Sequence, residues 1–383
     1  MRDFYKILVI DLQNSKKRIE KVDKNISDFY LGGYGLGLWW LKNNPQAKDA
    51  FMIFTSSVCE YSNPINKYII MAKNDKLSYG NMGGNFSSYL KSNDYDALVL
   101  LNKASGLSEI FIDGENIIIN EVKIKEYNTN SAIIKDLRDS YGDDITSIYI
   151  SQSAINKDAI SRLISDYYRG ISRGMANILY EKNIKSISIK RNEIKKYPKD
   201  LVNFTSTCHG CISGCKVKRK NKKESIFSIH ENHSLEEKRQ LENICEKIDQ
   251  YGIDLFALSK SIVYAYDQLN HIYDFNPYDI DQLEDIVDNI IRPDRREIYA
   301  DLAMGSKFLA DKYKINTEED KKHGKNNSYL KIIDSACLCF FSVDGKDLAD
   351  ICKMINKIGN NKYQESDLEN LLKEIKKMEK SLA

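Results

Sequence analysis

A chain of 383 residues exceeds what one hydrophobic core usually organises, so two or three domains are expected and a lone small module is excluded. With 42% hydrophobic and 29% charged residues it has enough apolar side chains for a folded interior, which rules out the disordered class. Lys+Arg 57 against Asp+Glu 55 leaves a formal net charge of +2, so no global field concentrates nucleic acid or another polyanion. In chain order, the first two hundred residues carry short β-branched runs at Ile7–Ile10, Tyr68–Met71, Ala97–Leu101, Glu109–Ile112, Asn116–Ile119, Ile148–Ser151 and Ser186–Ile189, which read as strands. Asp113-Gly114 between two of them is a hairpin signal, because glycine accepts the positive φ of a tight turn. Helical patterns intervene at Leu36–Lys42, Phe86–Lys91, Ala132–Tyr141 and Lys157–Tyr168.

Beyond Tyr197-Pro198 the pattern turns helical. Leu241, Ile244, Cys245 and Ile248 follow the i, i+3, i+4, i+7 rule, Tyr251-Gly252 interrupts, and Leu255, Leu258, Ile262 and Tyr266 start a second face that Asp254 can cap. The stretch Asn316–Asn327 reads as a solvated loop and Asp367–Lys380 as a charged amphipathic helix. No solenoid-length repeat is visible, and Lys216–Lys223 reads as a solvated basic turn. The fold expected is therefore α+β: an N-terminal mixed α/β domain with antiparallel sheets over residues 1–198, followed by mainly helical regions over 199–315 and 316–383. No apolar run approaches the ~20 residues that span a bilayer, and Ile7–Ile10 is too short for a signal peptide's apolar region, so a cytoplasmic protein with no membrane partner is expected.

Eight cysteines without a secretory signal make a metal or redox site the first question. Cys208, Cys211 and Cys215 place three thiolates in one short loop, where they can converge on a single inorganic centre. This triplet is closer to the spacing of cubane iron–sulfur clusters, which take three nearby cysteines and one distant one, than to the paired ligands of structural zinc. Cys337-x-Cys339 offers the missing thiolate, while Cys59, Cys245 and Cys352 read as small buried hydrophobes and His209 as a loop residue.

These residues resemble the tungsten- and molybdenum-pterin aldehyde:ferredoxin oxidoreductase family. Gly32-Gly33-Tyr34-Gly35-Leu36-Gly37 is similar to the family's N-terminal glycine segment, and Gly80-Asn81-Met82-Gly83-Gly84 with Tyr95-Asp96-Ala97 to its next block. Arg173-Gly174-Met175-Ala176, leading into Lys182-Asn183-Ile184-Lys185, resembles the segment closing the family's first domain. Two hexapeptides, Asp249-x-x-Gly252-Ile253-Asp254 and Asp334-x-x-Cys337-Leu338-Cys339, look like its two pterin-binding motifs. An ionised carboxylate is acceptor-only and can receive paired N–H bonds from an aminopyrimidine edge, so each hexapeptide makes chemical sense.

The resemblance implies a bis-pterin tungsten or molybdenum centre held by Asn81, Gly83, Gly84, Arg173, Gly174, Asp249, Gly252, Asp254, Asp334 and Leu338. It selects Cys339 as fourth ligand of a [4Fe–4S] cluster with Cys208, Cys211 and Cys215, and Glu231 as a general base or water-positioning residue. The implied activity oxidises an aldehyde to a carboxylic acid and passes electrons through the cluster to ferredoxin, in a chain that can form a homodimer. Three departures stand out: Lys67 replaces an arginine, Cys337 replaces a glycine, and no residue matches the family's catalytic histidine, His323 lying among Lys321, Lys322 and Lys325. The missing histidine, with only 80 residues between Asp254 and Asp334 where the family has a longer segment, sets a second reading beside the first, a catalytically silent relative that keeps the cluster as an electron-transfer or assembly partner. A third, a zinc-stapled binding protein, needs only the cysteines.

Overall fold

Apolar residues at consecutive positions, as in Ile7–Ile10 and Ala97–Leu101, suit strands buried on both faces, because successive side chains point to opposite sides of a sheet. The computed structural model describes residues 3–58, 67–74, 76–123, 129–165, 169–192, 225–228, 230, 232–315, 329–343, 345–359 and 361–382. Such strands form two six-stranded sheets. The first contains β1 (Phe4–Asp11), β2 (Lys16–Asp23), β3 (Ala50–Phe54), β4 (Tyr68–Lys73), β5 (Leu77–Met82) and β6 (Ala97–Leu101), in the order β2-β1-β6-β3-β4-β5. The second contains β7 (Ser108–Asp113), β8 (Asn116–Glu121), β9 (Ile145–Tyr149), β10 (Leu163–Ser165), β11 (Arg169–Ile171) and β12 (Ile184–Lys190), in the order β8-β7-β12-β9-β10-β11. In each sheet one pair is parallel, β1 with β6 and β7 with β12, and the rest are antiparallel.

The second order is the first with each strand number advanced by six, so one topology is built twice in tandem. The registers agree residue by residue. Phe54 pairs with Ala97 on one side and Ile69 on the other, and Ile69 with Asn81. Tyr149 pairs with Ser186 and Ile164, and Ile164 with Gly170. Ile69 therefore corresponds to Ile164, Asn81 to Gly170, and, two residues before the shared isoleucine, Lys67 to Arg162.

Three layers of burial follow from the alternation of side chains. Leu8, Ile10, Ile53 and Leu98 of the first sheet meet Ile110, Ile148, Leu163 and Ile187 of the second in one core, together with α3 (Phe86–Ser92) and α6 (Met175–Glu181). On the outer face of the first sheet Ile7, Val9, Met52 and Val99 pack under α2 (Gly33–Asn43), with α1 (Lys24–Tyr30) beside it. The same core takes in α12 (Leu330–Ser335), α14 (Leu348–Gly359) and α15 (Glu365–Leu382) from the other end of the chain. The outer face of the second sheet carries α4 (Asn130–Tyr141). A separate helical core joins α7 (Leu235–Tyr251), α8 (Leu255–Gln268), α9 (Ile280–Ile291), α10 (Glu297–Leu302) and α11 (Ser306–Tyr313). The expected pattern of a mixed N-terminal part and a largely helical C-terminal part holds.

The expected helix over Lys157–Tyr168 is not present in its described part. Lys157 takes φ +60 and ends α5 (Gln152–Ile155), Asp158 is buried against Arg295, and Leu163–Ser165 forms β10 instead. Pairing with β9 and β11 overrides the weak local preference. The strand expected over Ile148–Ser151 runs from Ile145 to Tyr149, and Ser151 starts the turn into α5. The expected domain junction at residue 198 and the loop 316–327 lie outside the described residues.

Candidate functional site

Both hexapeptides end a helix in the same way. At the end of α7, Gly252 takes φ +85, its N–H donates to the Asp249 carbonyl at 3.2 Å, and the Ile253 N–H donates to the Ile248 carbonyl at 3.3 Å. At the end of α12, Cys337 takes φ +54, its N–H donates to the Asp334 carbonyl at 3.2 Å, and the Leu338 N–H donates to the Ile333 carbonyl at 2.9 Å. These are matching left-handed helix ends. Each docks on the corresponding repeat: the Gly35 N–H in the first turn of α2 donates to Ser335 Oγ at 3.0 Å, and the Ser131 N–H in the first turn of α4 donates to Gln250 Oε1 at 2.9 Å. Gly33 has to be a glycine, because a Cβ there would lie 2.3 Å from the Asp334 carbonyl and 2.8 Å from Cys337 Sγ. The chain thus forms two half-sites, the first repeat with the second hexapeptide and the second repeat with the first hexapeptide.

They meet where the edge strands β5 and β11 come together. Arg173 Nη1 donates to the Tyr79 carbonyl at 3.0 Å, its guanidinium lies 5.7 Å from the centre of the Tyr79 ring, and Ser165 Oγ donates to the Gly83 carbonyl at 3.1 Å. Tyr34 packs on Tyr79 with ring centres 4.2 Å apart and donates to Glu379 of α15 at 2.6 Å. Gly83 and Gly84 lie in the turn between β5 and α3, and Arg173 and Gly174 in the matching turn between β11 and α6.

In the first half-site, Asn81 Nδ2 donates to Asp334 Oδ1 at 3.0 Å and to the Leu338 carbonyl at 3.4 Å. Asn81 Oδ1 is buried and has no hydrogen-bond partner among the described residues. Burial pushes the Asp334 carboxyl above its ordinary range, against the opposing pull of the Asn81 amide and the more distant charges of Arg173 and Lys67. Cys339 follows directly, partly buried, before α13 (Phe340–Val343). In the second half-site, Arg162 Nη2 donates to Asp249 Oδ1 at 2.5 Å, and the Asn130 amide donates to the Asp249 carbonyl. Asp254 caps α8, accepting from the Ala257 N–H at 2.9 Å on Oδ1 and from Ser172 Oγ at 2.5 Å on Oδ2.

The expected binding residues Asn81, Gly83, Gly84, Arg173, Gly174, Asp334 and Leu338 therefore gather around the β5–β11 junction or directly against it. Asp249, Gly252 and Asp254 form the second set. Cys208, Cys211, Cys215 and Glu231 lie outside the described residues. Arg162, Ser172, Tyr79 and Ser335 were not singled out by the sequence. The paired helix ends carry the one signal that finds some of them, a polar residue following each hexapeptide's first aspartate.

A raised carboxyl pKa means that the folded state favours the neutral acid, so this contribution to stability is complete below the unfolded value of about 3.9 and is lost as pH rises through the folded value. For the cofactor-free protein, Asp334→Asn is therefore expected to raise the thermal midpoint at pH 7. The gain should vanish toward pH 4. Thermal scans of both proteins across that range check it, and a lowered midpoint at pH 7 would refute it.

Residues 7–191 match the N-terminal domain of aldehyde ferredoxin oxidoreductase. The tungsten-containing aldehyde ferredoxin oxidoreductases of Pyrococcus horikoshii and Pyrococcus abyssi are each 25% identical over 198 residues, covering 48% of this chain and 33% of theirs. The chain thus matches a third of the length of these curated relatives. Among solved structures, the active site complex BamBC of benzoyl coenzyme A reductase, in complex with 1,5-dienoyl-CoA, superposes with a TM-score of 0.73 over 99% of this chain and 89% of that chain, at 11% identity. That likeness is one of fold.

Proposed function

This chain is a divergent member of the aldehyde ferredoxin oxidoreductase family, and on that premise we propose that it is a pterin-dependent oxidoreductase that takes an aldehyde and water to a carboxylic acid, two protons and two electrons. Cys208, Cys211, Cys215 and Cys339 would hold a [4Fe–4S] cluster, which would supply electron transfer toward a ferredoxin-like carrier. The observation that carries this reading is the Asn81–Asp334 cradle. Among the described residues, Asn81 Oδ1 is buried without a hydrogen-bond partner and the buried Asp334 carboxyl takes its hydrogen bond from that amide, a pair suited to a ligand that both donates and accepts hydrogen bonds, as an aminopyrimidine edge does. The residues fit such a group. When bound, its metal supplies the two-electron chemistry that side chains lack.

In this reading Asp334 and Asn81 orient the pterin, and the Leu338 and Gly83 backbone lies beside it. Arg173, held by the Tyr79 carbonyl and ring, supplies positive charge for the phosphate. The sequence from Asp334 to Cys339 puts a thiol that would hold the cluster five residues from the carboxylate that would hold the pterin. Glu231 is the candidate proton carrier. Among the described residues no helix is long and apolar enough to cross a membrane.

Protein purified anaerobically from cells supplied with tungstate or molybdate tests the reading. Cys211→Ser is expected to abolish a broad visible absorption that the unsubstituted protein shows, and unchanged absorption refutes the ligand assignment. Aldehyde-dependent reduction of a viologen dye is expected. Its absence in metal-replete protein identifies the catalytically silent relative instead.

A further inference from the structure

We propose that β8 is an interface strand. It pairs antiparallel with β8 of a second copy of this chain across a two-fold axis, and so joins the second sheets of the two copies into one continuous sheet. This goes beyond the oxidoreductase reading and does not depend on it.

The edges of the two sheets are treated differently. β5 and β11 come together, tied by Arg173 on the Tyr79 carbonyl and Ser165 on the Gly83 carbonyl. β2 carries Lys16, Lys17, Arg18 and Lys21, and such charge keeps other strands away. β8 has no such guard. It reads Asn116-Ile117-Ile118-Ile119-Asn120-Glu121, without a lysine, a proline or a break in its register with β7, which is its one neighbour among the described residues. Its three isoleucines are half-buried. Unpaired backbone beside β-branched side chains is a template for an added strand. Ile19 is left without cover on the same side. It pairs with Leu8 of the core between the sheets and therefore turns toward the second sheet, yet it is 49% exposed. Lys17, on the same face of β2, donates to the Glu115 carbonyl in the β7–β8 turn at 3.1 Å, which brings this face to the β8 edge.

Hairpin geometry decides which backbone groups of β8 are available. Gly114 takes φ +61 in a two-residue turn closed by Asp113 and Asn116, so Asn116, Ile118 and Asn120 exchange bonds with β7. The Val122 N–H continues that series, donating to the Leu107 carbonyl at 2.7 Å. The N–H and C=O groups of Ile117, Ile119 and Glu121 consequently point away from β7. A two-fold axis at Ile119 sets that residue against its own copy and Ile117 against Glu121, which uses all of these groups in both chains. The same register places Glu115 opposite Lys123 of the second copy, an opposite-charge pair that symmetry makes twice. Both residues are exposed in the single chain and free to meet it. An axis at Ile118 would instead set Glu115 against Glu121, a like-charge pair. Charge thus selects the register centred on Ile119, and a second copy supplies the complementary charges without any further partner.

The test uses the full chain. Its mass in solution is followed by light scattering behind a sizing column, and the circular dichroism spectrum of every variant is recorded alongside. The parent is expected to be a dimer at about 100 μM. Ile119→Pro is expected to be a folded monomer, because the N–H that proline removes points away from β7 and a sheet edge accepts proline there. Glu115→Lys and Lys123→Glu each set like charges opposite one another, and each is expected to weaken dimerisation by about tenfold. The double variant exchanges the two charges and is expected to restore it. A monomeric parent at that concentration overturns the proposal, as does a dimer that persists in folded Ile119→Pro. Should Ile119→Pro fail to fold, the charge exchange decides: single variants as dimeric as the parent, or a double variant no better than the singles, overturn the pairing. The measurements need no cofactor, so their failure leaves the oxidoreductase reading standing.

Discussion

Arg295→Ala is expected to lower stability by about 3–5 kcal/mol, read as a shift in the urea midpoint of the helical region. Arg295 lies beyond α9 and pairs with Asp158, whose side chain is fully buried at the end of the turn after α5. The same guanidinium donates to the Tyr251 hydroxyl at 3.1 Å and to the Ile290 carbonyl at 3.2 Å, so one side chain ties α9, the end of α7 and the second sheet together. Burial already pushes the Asp158 carboxyl upward, and Arg295, helped by the Tyr251 hydroxyl, pulls it part of the way back. Without the guanidinium the buried carboxylate must either remain uncompensated or take up a proton. The folded-state value then lies still further above the unfolded value of about 3.9, so the deficit should be small near pH 4 and grow as pH rises through the new value. Arg295→Leu combined with Asp158→Asn should recover most of the loss, because no isolated charge is left behind. Equal losses in the single and double variants at pH 7 would refute this account.

That joint explains why part of the site was legible in the sequence and part was not. The hexapeptides were legible through their resemblance to the family's pterin-binding motifs, a resemblance that survives because each motif is local, and the structure gives both the form of a helix end with a left-handed residue and a carboxylate within six positions. The glycine blocks were legible for the same reason, and Gly33 does face the Asp334 backbone closely. The duplication was not, since equivalent places hold different residues, Asn81 against Gly170 and Gly252 against Cys337, and what repeats is strand order and register. The charged strand β2, with Lys16, Lys17, Arg18, Glu20 and Lys21, gave no apolar signal because it is a sheet edge, where charge discourages pairing with other chains. Arg162 was hidden by the expected helix over Lys157–Tyr168. Read as a strand entry paired in register with Lys67, the same residue becomes the feature that distinguishes the two half-sites.

The difference between Gly252 and Cys337 gives the other large effect. Gly252→Ala is expected to destabilise the protein by about 3 kcal/mol, combining roughly 1–2 kcal/mol for a side chain in the left-handed region with a comparable overpacking cost. An added Cβ would sit 1.6 Å from Ser151 Oγ and 2.8 Å from Ser151 Cβ, so rotating the hydroxyl away does not clear the space. Cys337, at the equivalent helix end, is buried with its thiol 3.7 Å from the Phe54 carbonyl, which shows that the left-handed turn itself tolerates a side chain when the repeat opposite leaves room. The two contributions can be separated, because Ser151 Oγ has no hydrogen-bond partner among the described residues and its removal sacrifices none of the bonds described there. Gly252→Ala with Ser151→Gly should regain the packing share and keep the backbone share, leaving a deficit of about 1–2 kcal/mol. Denaturant midpoints of the two single variants and the double variant form the cycle that measures this. If Ser151→Gly gives no recovery, the tight fit of the first hexapeptide against the second repeat is not what requires glycine at this position.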